Sequence, residues 1–171
     1  MMEDCVVLTV RTYPDPVLDK RAGSVKRIDR DLLRLAEEMF ETMYEEHGVG
    51  LAAPQVGESI RMCVVNCTDS ADGEMVLINP VITEATGEET SEEGCLSVPG
   101  VHANVTGAAR IRVRAYDRNG KEIEIEADGL QARALQHELD HLNGRLFFQL
   151  LGEAARMTVK GRLRTLEEGA G

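Results

Sequence analysis

Apolar residues recur at three- and four-residue spacing through Leu32, Leu35, Ala36, Met39, Phe40 and Met43, which predicts one buried helical face. Asp29 or Asp31 is placed to cap this helix, and the pattern runs to about residue 47, where Gly48 stands as a stop. The segments 60–65 and 75–78 read as short buried strands, with a polar turn over 69–73. Strict alternation follows. Ile111, Val113 and Ala115 alternate with Arg110, Arg112 and Arg114, and beyond Asp117-Arg118-Asn119-Gly120 so do Ile123 and Ile125 with Glu122, Glu124 and Glu126. This is a hairpin with one apolar face and one face where arginines oppose glutamates, read as solvated sheet rather than a site. Asp128 can cap a further helix to about 142, ending at Asn143-Gly144. The apolar run 146–148 and a last helix over about 153–168, weakened by Gly161, complete the chain. The order predicts an α+β fold. Short antiparallel sheets pack around the 128–142 helix, flanked by an N-terminal and a C-terminal helix, and a doubly wound parallel sheet is excluded.

The 171 residues show no repeat and no linker, so one catalytic domain over 1–171 is expected. A formal charge of −11 excludes a uniformly basic nucleic-acid binder, and no direct DNA binding is expected. A hydrophobic share of 43% excludes a disordered chain, while 4% aromatics without Trp argue against a base-stacking surface. No stretch is long and apolar enough for a membrane helix, and the first ten residues lack a basic-then-apolar leader. A cytoplasmic protein without membrane contact is expected. Cys5, Cys63, Cys67 and Cys95 should then stay reduced, with Cys63 and Cys67 assigned to packing.

The densest chemistry lies in His137-Glu138-Leu139-Asp140-His141. Histidines four apart on a helix share a face and reach one metal ion, while the intervening glutamate can serve a water as base. Leu135, Leu139 and Leu142 mark the helix as buried, where two imidazoles and two acids without a shared task would be costly. Catalytic sites of this type take three protein ligands. No His follows His141, leaving Glu153, Glu167 and Glu168, or Cys95 in Glu93-Gly94-Cys95-Leu96-Ser97. Cys95 is the better placed, between an acidic loop and a Val-Pro-Gly turn. Upstream, the segment from Gly48 through Gly57, GVGLAAPQVG, permits close backbone approach and offers the Gln55 amide, but it lacks the residues of a phosphate loop or dinucleotide fingerprint.

GVGLAAPQ, EGCLS and HELDH, in this order, resemble the three signature motifs of the peptide deformylase family, and the likeness runs over about 13–148. The resemblance implies a hydrolase that removes formyl from N-formylmethionyl nascent peptides, releasing formate. It implies that Cys95, His137 and His141 bind Fe2+, with Zn2+, Ni2+ or Co2+ possible as isolated. Glu138 is then the base, with Gln55 and the Leu96 N–H as oxyanion donors. Val49, Gly50 and Gly94 are implied as backbone partners of the peptide, and Val49, Leu130 and Ala134 as the methionine pocket. A thiolate on ferrous iron also implies sensitivity to oxygen.

Two positions depart from the family. Val105-Thr106-Gly107 has glycine where an arginine is expected to pair with Asp140, so Arg110 or Arg133 is the available substitute, and Gln149 stands where Asp is common. Arg156, Lys160, Arg162 and Arg164 lie on the last helix, which in some members docks on the ribosome. Two other readings are weighed: an HExxH zinc metallopeptidase, which would ignore Cys95, and a degenerate peptide-binding homologue without catalysis.

Overall fold

The computed structural model describes residues 6–170, so Cys5 lies outside them. Helix α1 (Arg30–Glu45) starts where Asp29 accepts a hydrogen bond from the Leu32 N–H at 2.9 Å. It ends one residue earlier than the glycine signal suggests, because His47 itself takes the left-handed conformation with φ 57°. Strands β1 (Gly50–Ala52), β2 (Met62–Val65), β3 (Met75–Thr86), β6 (Arg110–Tyr116) and β7 (Glu122–Asp128) form one antiparallel sheet in the order β1-β2-β3-β6-β7. Strands β4 (Glu89–Cys95) and β5 (Val98–Gly107) pair only with each other.

The unbroken apolar run of β2 has a simple cause. Met62 and Val64 face α1, packing with Met39, Phe40 and Met43, while Cys63 and Val65 face helix α2 (Gly129–Leu142) and its Leu135, Leu139 and Leu142. A strand covered on both faces cannot alternate. Cys63 is thus a core residue, and Cys67 packs beside the same cluster. A third cluster seats helix α3 (Glu153–Gly169) on β5 and on the 3-10 turn Phe147–Leu150, through Val159, Val98, Val101 and Phe147.

Several expectations change. The second apolar strand does not stop at Ile78 but continues to Thr86, past Asn79 at φ 52° and a register shift, with its outer half exposed against β6. The segment around Cys95 is a strand hairpin, not an acidic loop. Asp128 occupies the cap position of α2 without making a side-chain cap bond. The arginine–glutamate face is as expected, with Arg112 reaching Glu84, Glu124 and Glu126 across three strands. Among the described residues no helix is long and apolar enough to cross a membrane.

Candidate active site

Two elements build the site. Helical spacing puts His137 and His141 on the face of α2 that meets the end of β4, where Cys95 closes the hairpin opposite Val98. The Cys95 Sγ lies 3.3 Å from His141 Nε2, and the two Nε2 atoms are 3.1 Å apart. Four-coordinate sites with bonds of about 2.0–2.3 Å place neighbouring donors roughly 3.3–3.6 Å apart, so the trio fits one small cation with little adjustment. One shared proton cannot satisfy three converging lone pairs, whereas a cation can. Among the described residues this is the one such cluster, and Glu153, Glu167 and Glu168 stay on α3, with Glu167 accepting from the Tyr13 hydroxyl.

The ligands have supporting partners. His137 Nδ1 donates to Glu93 Oε1 at 3.1 Å, which leaves Nε2 free to ligate. The Ser97 N–H points at Cys95 Sγ from 3.4 Å. Burial opposes charge on both imidazoles. At His137 the Cys95 thiol and the Glu93 carboxylate outweigh it and raise the pKa, while His141 is pushed well down by burial and by the neighbouring His137.

Glu138 is 3% exposed, and its Oε1 has no hydrogen-bond partner among the described residues. Burial, with help from Glu93 and Asp140 and against His137, raises its carboxyl from 4.5 to about 7. An orphaned buried carboxylate beside three converging donors is what a cation and a water would complete. Gly50 makes this possible, since a Cβ there would stand 2.5 Å from Glu138 Oε2. Gln55 is equally buried; its Oε1 accepts from the Ala52 N–H at 2.9 Å, and its Nε2 donates to Ser97 Oγ at 3.1 Å and faces Cys95 Sγ at 3.7 Å.

A cleft of about 540 Å³ opens onto these groups. Val49, Gly50, Gln55, Gly94, Cys95, Leu96, Leu130, Ala134, His137 and Glu138 line it, and His141 lies behind them at 1% exposure. Leu130 is 56% exposed and therefore an open rim, while Ala134 is a buried floor. Sequence reasoning overlooked Glu93 as a partner of His137, Ser97 as a partner of Gln55, and the destination of Arg133. Had 89–95 been read as a strand, Glu93 and Cys95, two apart, would have fallen on one face.

The two departures resolve differently. Arg133 does not stand in beside Asp140, because its guanidinium goes to Glu93 at 2.8 Å. Arg110 pairs across from Asp128 on the far hairpin. Asp140 instead borders a cavity of about 220 Å³ with Gly107, and burial raises its carboxyl to about 6 against the moderating charges of His137 and Arg145. A Cβ on Gly107 would meet Gln136 Oε1 at 2.9 Å, an oxygen already accepting from the Ala108 N–H. Gln149 stays exposed and folds back on its own turn, accepting from the Leu146 N–H at 3.1 Å.

A thiol, two imidazoles and a buried carboxyl at the floor of an open cleft fit a metal-dependent hydrolase. The family model described as polypeptide deformylase matches residues 7–157. A peptide deformylase of Syntrophobacter fumaroxidans is 52% identical over 88% of this chain and 89% of its own length. The crystal structure of a peptide deformylase from Legionella pneumophila aligns with a TM-score of 0.90 at 42% identity, covering 95% of this chain and 96% of that one. One from Ehrlichia chaffeensis aligns with a TM-score of 0.87 at 36% identity, over 95% and 97%. The chain belongs to the polypeptide deformylase family, amide hydrolases that remove the N-formyl group from nascent peptides.

Proposed function

We propose that Cys95, His137 and His141 hold a divalent cation, ferrous iron by family resemblance, and that Glu138 is the base of formyl hydrolysis. The observation that carries this is the convergence of the three donors beside a buried carboxyl whose Oε1 has no hydrogen-bond partner among the described residues, at the cleft floor. The donor types alone also suit Zn2+, Ni2+ or Co2+. When bound, the cation supplies Lewis acidity and a water of lowered pKa. Glu138 would take a proton from the attacking water and later deliver it to the departing methionyl amine, so that water and formamide become formate and a free N-terminus. The Gln55 amide, fixed by Ala52 and Ser97, and the Leu96 N–H receive the charge developing on the formyl oxygen. Val49, Gly50 and Gly94 meet the peptide backbone, and Leu130 and Ala134, with Val49, meet the methionine side chain.

The chain works as a single catalytic domain in the cytoplasm on nascent N-formylmethionyl peptides. Arg156, Lys160 and Arg164 share one exposed face of α3, suited to ribosomal RNA, while Arg162, also exposed, turns to the Gly100 carbonyl. Co-sedimentation of the fourfold Glu variant with ribosomes at the wild-type level removes that contact. The central test is formate release from N-formyl-Met-Ala-Ser by protein purified without oxygen, against N-acetyl-Met-Ala-Ser and Glu138→Ala. Release from the formyl peptide alone, abolished in the variant, supports the assignment. No release from fully iron-loaded protein overturns it.

A further inference from the structure

We propose that Arg133 is a positioning residue for the ligand His137, acting through Glu93. The inference rests on the reading of Cys95, His137 and His141 as the metal set.

Arg133 and His137 lie four apart on α2, and Glu93 and Cys95 lie two apart on β4. The helical period and the direct contacts of Glu93 and Cys95, across a register shift between Gly94 and Cys95, bring all four side chains to one seam between the helix and the hairpin. Within that seam each carboxylate oxygen of Glu93 has its own donor: Oε2 takes Arg133 Nη1 at 2.8 Å and Oε1 takes His137 Nδ1 at 3.1 Å. The guanidinium extends further. Nη1 also donates to the Val105 carbonyl at 3.3 Å, and Nη2 to the Glu89 carbonyl at 3.2 Å. Arg133 thus ties α2 to both strands of the hairpin, with side chains of Arg133, Glu93 and His137 only 14%, 11% and 12% exposed.

The consequence lies in angle. A carboxylate held by one bond rotates, and the imidazole it orients rotates with it. A carboxylate whose other oxygen is pinned by a guanidinium, itself tied to two backbone carbonyls, cannot, so His137 Nε2 stays aimed at the point shared with Cys95 and His141. The adjoining cavity, which Gly107 leaves open beside Glu93 and Arg133, supplies no other cation to do this. A lysine at 133 reaches the same carboxylate oxygen but not the Val105 and Glu89 carbonyls along with it.

The test is cobalt affinity, read by chelator competition, with the near-ultraviolet thiolate-to-cobalt absorption reporting the ligand set. Arg133→Met is expected to weaken cobalt binding by about 10- to 100-fold while keeping the thiolate band. Glu93→Ala is expected to weaken it similarly, and the double variant no more than the worse single one. Arg133→Lys falls between, and serves where the methionine variant does not fold. A merely structural arginine lowers the melting temperature of the metal-free protein but leaves the affinity of the folded protein unchanged. Wild-type affinity in Arg133→Lys or Arg133→Met, or losses that multiply in the double variant, overturns the proposal. A wild-type protein that takes up no cobalt overturns the metal reading itself.

Discussion

In the metal-free protein, Glu138→Gln should remove a stability loss that sets in as pH rises from 4.5 towards 7. The carboxyl is raised from 4.5 to about 7 because burial leaves its charged form without water or a partner. The folded state therefore holds the proton more tightly than the unfolded chain. The resulting stabilisation is complete below 4.5 and is lost as pH passes through about 7. At about 1.4 kcal/mol per tenfold change in proton affinity, the loss is roughly 3 kcal/mol. Glutamine keeps the shape and does not titrate. Urea unfolding of chelator-treated wild type and variant, at acid and mildly alkaline pH, measures the difference between the two curves, which reports Glu138 together with its coupling to His137 and Asp140. With a denaturant slope of about 1–3 kcal/mol per molar, the wild-type midpoint should fall relative to the variant by roughly 1 M or more. Parallel pH dependences would refute the argument that Glu138 is a buried carboxylate lacking its cation. Loading with a divalent metal should flatten the wild-type curve, since the charged form then has a partner.

Gly50→Ala should push Glu138 aside and lower kcat about 100-fold with metal content unchanged; metal analysis and formate release read both, and an active variant contradicts the contact. Gln55→Leu should cost about 10²- to 10³-fold in kcat with little change in KM. Cys95→Ser should lose most bound metal on dialysis, whereas an HExxH peptidase with a glutamate ligand would keep it. The Tyr13 phenol, raised to about 12 by burial and by its Glu167 partner, favours the folded state fully below pH 10 and no longer above about 12. Tyrosinate absorbance should therefore show a last-titrating component that Tyr13→Phe abolishes.

Much of this was legible in the residues because the signals were local. The α1 stripe from Leu32 to Met43 and the β6–β7 alternation each express one buried face, and both elements lie where the pattern puts them. The HELDH helix is legible for the same reason, since ligand spacing and helical period coincide. The β4–β5 hairpin is not. Glu89–Cys95 is polar throughout because one face lines the cleft and the other meets solvent, so no alternation advertises a strand. With the strand went the register that sets Glu93 beside Cys95. The destination of Arg133 depended on that register too. An arginine near both Glu93 and Asp140 in sequence motifs has two acids to choose from, and only the packed seam decides for Glu93.

The ligands come from two bodies with no backbone hydrogen bonding between their sheets: Cys95 on the two-stranded hairpin and His141 on the helix across the five-stranded sheet. Joining residues 46 apart through a common ion closes a chain loop as a covalent cross-link does. For a loop of that length the entropy removed from the unfolded chain is worth about 4 kcal/mol. The thiolate that chemistry requires is then also a removable staple, and its oxidation would silence the site and leave the hairpin held to the helix by the Arg133 and Glu93 contacts.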